Sequence, residues 1–127
     1  MDYISISKYE DTLPGKERVP IIVVSFLIEW VKPFAIGEKM NEINENAYMN
    51  GYNWDAFLNY YLSKHDPDIL EGLVSDSEAG TCVAVYELTP ENEARANKLL
   101  EIIRNLVENE NELYSIVREE GEYVKWD

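Results

Sequence analysis

The chain is short of the residues from which most catalytic and metal sites are assembled. Among its 127 residues there is one cysteine, Cys82, and one histidine, His65. A single cysteine excludes an internal disulfide and fits a reducing compartment. One His and one Cys cannot supply the usual zinc ligand set. They could form a nucleophile–base pair on inventory alone. Cys82, however, lies between Thr81 and Val83 in a strand pattern, where a small buried residue is common. G-x-S-x-G, P-loop and GxGxxG patterns are all missing. The longest apolar run, Val19 to Ile28, is broken by Pro20 and Ser25 and is too short to span a bilayer. Met1-Asp2-Tyr3-Ile4-Ser5 lacks the basic and apolar regions of a secretory signal. The expectation is one cytoplasmic domain, since this length leaves no room for a second.

Positive charge is scarce as well. The chain carries 25 acidic and 11 basic residues, a net charge of −14. Nucleic acid and anionic membranes are polyanions and are disfavoured as partners, whereas a basic protein is favoured. The deficit is concentrated. Between Met40 and Glu93, eleven acids face the single cation Lys64. A surface serving solubility alone usually mixes the signs. The expectation is a face kept free of cations.

What is present reads as α+β with a small, mostly antiparallel sheet and four helices. The hydrophobic content of 46% suffices for a packed core. Residues 2–10 can form a short edge strand, followed by a turn at Thr12-Leu13-Pro14-Gly15-Lys16. Residues 19–28 are rich in β-branched side chains and nearly continuously apolar, which predicts a strand covered on both faces. Trp30 to Phe34, with Pro33, reads as a connection. A helix over 36–47 follows from Ile36, Met40, Ile43 and Ala47. Asn50-Gly51 reads as a turn, with Asn53 as the cap of a helix over 54–64 whose stripe is Trp54, Phe57, Leu58, Tyr61 and Leu62. A hairpin over 70–87 turns at Asp76-Ser77-Glu78-Ala79-Gly80, with Gly80 available for a left-handed angle. Thr89-Pro90-Glu91 opens a helix over 90–108. Asn109 begins another, over 111–120.

The carboxylates single out no catalytic pair. Asp66 with Asp68, or Asp76 with Glu78, could in principle hold a divalent ion, but the ligand series of an EF-hand loop is lacking. No cofactor and no metal are expected. The aromatics say more. Tyr48, Tyr52, Trp54, Tyr60 and Tyr61 crowd the Asn50-Gly51 region. Trp54 and Tyr61 fall on the helical stripe and read as core. Tyr52 and Tyr60 lie off it and read as contact residues, because tyrosine buries large area while keeping a polar tip. The expected contact face is Tyr52, Tyr60, Asp66, Asp68, Glu71, Asp76 and Glu78.

Two of these motifs carry a resemblance. Asn50-Gly51-Tyr52-Asn53-Trp54 opens a helix, and Asp76-Ser77-Glu78-Ala79-Gly80 leads into the apolar strand Thr81 to Tyr86. In this order and at this separation they resemble the immunity protein 51 family of bacterial polymorphic-toxin systems, over roughly residues 20–120. The resemblance implies a non-enzymatic antidote that binds a toxin domain, basic and in some cases a nuclease. It implies no catalytic residue. Asn50, Gly51, Trp54 and Gly80 would then define the fold as much as the contact. An acidic adaptor for another basic protein is the competing expectation, an enzyme using carboxylates is a third, and a homodimer stays open.

Overall fold

The computed structural model describes residues 2–127. Two nine-residue strands open the chain, β1 (Ile4–Thr12) and β2 (Arg18–Phe26). Their connection reverses at Leu13-Pro14-Gly15-Lys16, where the Lys16 N–H donates to the Leu13 carbonyl at 2.9 Å and Gly15 has φ 74°. Proline followed by a left-handed glycine is the pattern of a type II turn. Helix α1 (Val31–Ile43) and helix α2 (Gly51–His65) follow. A 3₁₀ turn (Pro67–Leu70) leads to the two-residue strand β3 (Val74–Ser75) and to β4 (Cys82–Glu87). Helices α3 (Pro90–Glu108) and α4 (Glu110–Glu120) close the fold, ahead of a second 3₁₀ turn (Gly121–Tyr123).

The sheet is four-stranded, in the order β1-β2-β4-β3, and antiparallel throughout. The α+β class expected from the sequence is the observed one. On one face of the sheet, Ile22, Val24 and Phe26 of β2 join Cys82 and Tyr86 of β4 in the main core. Against them pack Trp54, Phe57, Leu58 and Leu62 of α2 and Ala96, Leu99, Ile103, Leu106 and Val107 of α3. Trp54 meets Phe26 edge-on, with ring centroids 4.9 Å apart, a geometry that suits the aromatic quadrupole. The buried Tyr86 hydroxyl donates to the Ile69 carbonyl at 2.6 Å and so ties the 3₁₀ turn to the sheet. The opposite sheet face carries a smaller cluster, Ile21, Val23 and Val85, with Leu13, Val19, Val74 and Val83 around it. Residues of the sheet itself and of its first turn build that second cover. Among the described residues, no helix is long and apolar enough to cross a membrane.

Several boundaries differ from expectation, each for a local reason. The edge strand lies two residues later than 2–10, at Ile4–Thr12, because β1 pairs with β2 from Ile4 opposite Phe26 to Thr12 opposite Arg18. α1 begins at Val31 rather than 36 and ends at Ile43. Pro33 sits inside its first turn, where a missing N–H costs nothing. α2 begins at Gly51, and its cap is Asn50, not Asn53. The hairpin is shorter than 70–87, because Leu70 belongs to the 3₁₀ turn and Gly72, at φ 73°, re-aims the chain before Val74. Gly80 does not use a left-handed angle, since only Gly15 and Gly72 have positive φ among the described residues. Asn109 caps nothing with its side chain and donates instead to the Asn105 carbonyl.

Candidate functional site

The segment from Asn50 to Trp54 gives each residue a separate task. The Asn50 side chain accepts from the Asn53 N–H at 2.9 Å, satisfying one of the free donors at the start of α2. The Gly51 N–H donates to the Ala79 carbonyl at 2.8 Å. A methyl group on Gly51 would lie 1.8 Å from the Glu78 carbonyl oxygen and 2.4 Å from that of Thr81. Glycine is therefore required there for close approach to the hairpin loop. Asn53 is 3% exposed, and its amide donates to the Tyr48 carbonyl at 2.7 Å while its oxygen accepts from the Asp127 N–H at 2.6 Å. Trp54 fills the core. Tyr52 is left pointing outward, 44% exposed.

The two sequence motifs therefore meet in space. The β3–β4 loop is held by paired main-chain bonds between Glu78 and Thr81, and Val83 N–H donates to the Ser77 hydroxyl at 3.0 Å. Gly80 stands where a Cβ would come within 2.8 Å of the Glu29 carboxylate.

A cleft of about 590 Å³ opens between α2 and the β3–β4 edge. Its floor is apolar, formed by Val24, Leu62, Leu99 and Ile103, all buried. Tyr52, Asp55 and Ser75 stand at its mouth, with Lys125 on the C-terminal side. The Ser75 hydroxyl donates to the Asp55 carboxylate. A second concavity of about 250 Å³ reaches the hairpin loop at Ala79. It is bordered by Glu29, Glu38, Phe34 and Tyr48, of which Tyr48 is 69% exposed. Cys82 lines the larger cleft, and burial pushes its thiol up to about 12. It is protonated at neutral pH and is no nucleophile. His65 stays exposed, its ring tilted against that of Tyr61 with centroids 4.4 Å apart, and does not line the cleft. Among the described residues, no three His, Cys, Asp or Glu side chains are grouped as a metal site would need.

Charge is redistributed by the fold. Asp66 pairs with Lys98 at 2.6 Å and Asp68 with Arg95 at 3.1 Å, both cations coming from α3. Glu87 pairs with Lys16, and Glu93 with Lys8. The acid-rich middle of the sequence is thus partly neutralised by cations from outside it. Glu71 is exposed at the same end as Asp66 and Asp68 and has no ion-pair partner among the described residues. Tyr60 faces α4 instead. Its hydroxyl donates to Glu120 at 2.5 Å, beside Lys64, and that hydrogen bond raises the phenol above its ordinary value.

Of the residues expected at a contact face, Tyr52 follows Gly51, whose main chain packs on the hairpin loop that carries Asp76 and Glu78. The fold adds Asp55 and Ser75, and it places Asp66, Asp68, Glu71 and Tyr60 elsewhere. The cleft had no linear signal, because its walls come from β2, α2, the 3₁₀ turn, β3, β4, α3 and the C-terminal segment. Tyr48 and Asp55 were visible as types and not as neighbours of the hairpin.

No curated protein and no solved structure matches the chain. The profile of a family described as immunity protein 51 matches residues 18–122, which takes in α1 to α4 and three of the four strands. The matched span includes both the capped start of α2 and the loop against which Gly51 packs, and on that match the chain belongs to the immunity protein 51 family.

Proposed function

We propose that the chain neutralises a cognate toxin by binding its toxic domain through this acidic end, and that it performs no reaction itself. The observation that carries the reading is the packing of the start of α2, which bears Tyr52 and Asp55, against the hairpin loop that bears Asp76 and Glu78. None of the three carboxylates has a cation partner among the described residues. Carboxylates without partners in their own chain keep their charge for an incoming cation. Glu29 and Glu38 extend the same surface past Tyr48 and Phe34.

The fitting partner is a basic toxin domain, such as one whose positive cleft acts on nucleic acid. An acidic, aromatic surface seated in or over that cleft excludes the substrate. Complementary charge raises the encounter rate, and desolvated aromatic anchors slow release. A single buried cysteine fits a cytoplasmic setting. An adaptor for some other basic protein is the reading that the test must displace.

The test uses the toxin domain encoded beside this gene. Co-expression should restore growth, and the purified pair should bind more weakly as salt rises. Joint Asp76→Lys and Glu78→Lys substitution should weaken binding by about tenfold or more. Glu101→Lys, an exposed change on α3, should leave it unaltered. Cells that die equally fast with and without the chain would overturn the proposal.

A further inference from the structure

We infer that the cleft between α2 and the β3–β4 edge is an anchor pocket. Its occupant is an aromatic or branched aliphatic side chain of the toxin, carried beside a lysine or arginine. The inference rests on the toxin-binding reading and names what that partner must bring.

The argument begins with the floor. Val24, Leu62, Leu99 and Ile103 come from β2, α2 and α3 and form one apolar surface at the base of a cavity of about 590 Å³. That volume lies within the range of ligand pockets, so a single large side chain enters without rearrangement. Water at such a floor finds few hydrogen-bond partners, and its displacement by an apolar group is favourable. At the edge of the cleft runs β3, which is only two residues long.

The mouth selects what accompanies the apolar group. Asp55 is half-buried there, with the Ser75 hydroxyl as its partner and no cation. The Tyr52 ring lies on the same lip and can receive a cation on its face. Lys125 stands on the rim as well and has no carboxylate partner among the described residues. Asp127, from the same C-terminal segment, lines the cleft as well and adds a carboxylate on that side. The occupant's apolar group goes to the floor, and its cation goes to the acidic rim, where Asp55 and the Tyr52 ring can receive it. Central burial of an apolar anchor, ringed by polar contacts, is the arrangement in which few residues carry most of the affinity.

The experiment measures toxin-domain binding by wild type, Ala84→Phe, Asp55→Lys and the joint Asp76→Lys, Glu78→Lys protein. Ala84 is in the cleft wall, half-buried, so a phenylalanine there fills the space from within. Ala84→Phe should lose affinity by about 30-fold, by the same factor at low and high salt, because the lost contact is apolar. Asp55→Lys should lose affinity chiefly at low salt. If Ala84→Phe proves unfolded by circular dichroism, Ala56→Leu on the α2 wall replaces it with the same expectation. A filled cleft that binds as tightly as wild type, while the hairpin charge reversal weakens binding, overturns the anchor pocket and leaves the toxin reading intact. A wild-type chain that fails to bind overturns both.

Discussion

Gly51 shows how much one residue can decide. Inside a helix, alanine is favoured over glycine by about 1 kcal/mol, so a sequence-based rule would improve the helix by replacing it. The position allows no such gain. Its Cβ would overlap two carbonyl oxygens of the hairpin loop, and main-chain atoms cannot swing aside as a flexible side chain can. Gly51→Ala should therefore destabilise the protein by about 3 kcal/mol, read from urea unfolding midpoints at constant slope. Asn53 makes the complementary point. As a buried amide it spends both its donor and its acceptor, on Tyr48 and Asp127. It looked like a helix cap only because caps and buried linkers draw on the same residue type.

At the scale of elements, α2 and α4 are joined at their C-terminal ends by one carboxylate. Glu120 accepts from Lys64 and Tyr60, and these bonds, Lys64 first, hold its carboxyl below the usual range. A carboxylate whose folded value is depressed adds stability above its unfolded value, near ~4.3. That stability disappears as pH falls through the folded value. The brace should be fully present at neutral pH and lost in acid. Thermal melts should show wild type more stable than Glu120→Gln near neutrality, with the gap closing below about pH 4. A gap that persists in strong acid would assign the effect to packing. The same elements explain the misplaced boundaries. Tertiary contacts extended α1 backward through Pro33 and α2 backward through Gly51, where local propensity indicated a break.

Across the whole molecule, nine of the eleven cations sit in ion pairs, which leaves Arg118 and Lys125 without one among the described residues. The net charge of −14 makes copies of the chain repel each other. The open edge of the sheet is also blunted. At the two ends of β1, the Ile4 and Thr12 N–H groups are taken by the carboxylates of Asp2 and Asp11, at 3.4 and 2.8 Å. Charged side chains at Lys8, Glu10 and Asp11 further discourage strand pairing. We expect a monomer in sedimentation at micromolar concentration in low salt. Added salt would promote any self-association by screening repulsion, the opposite of its effect on a complex with a basic partner.

Legibility followed the range of the interaction. The apolar stripes of α2 and α3, the Thr89 cap, the β-branched run of β2 and the lopsided charge are properties of neighbours along the chain, so they were readable from order alone and led to the α+β class and the family motifs. Which carboxylates stay unpaired depended on α3 laying Arg95 and Lys98 over the 3₁₀ turn and leaving the hairpin loop bare. The cleft, too, forms only where β2, β4, α2, α3 and the two-residue β3 come together. Helix and strand periodicity arise from local backbone geometry, whereas pairing of distant charges and the shape of a cavity are set by how the elements pack.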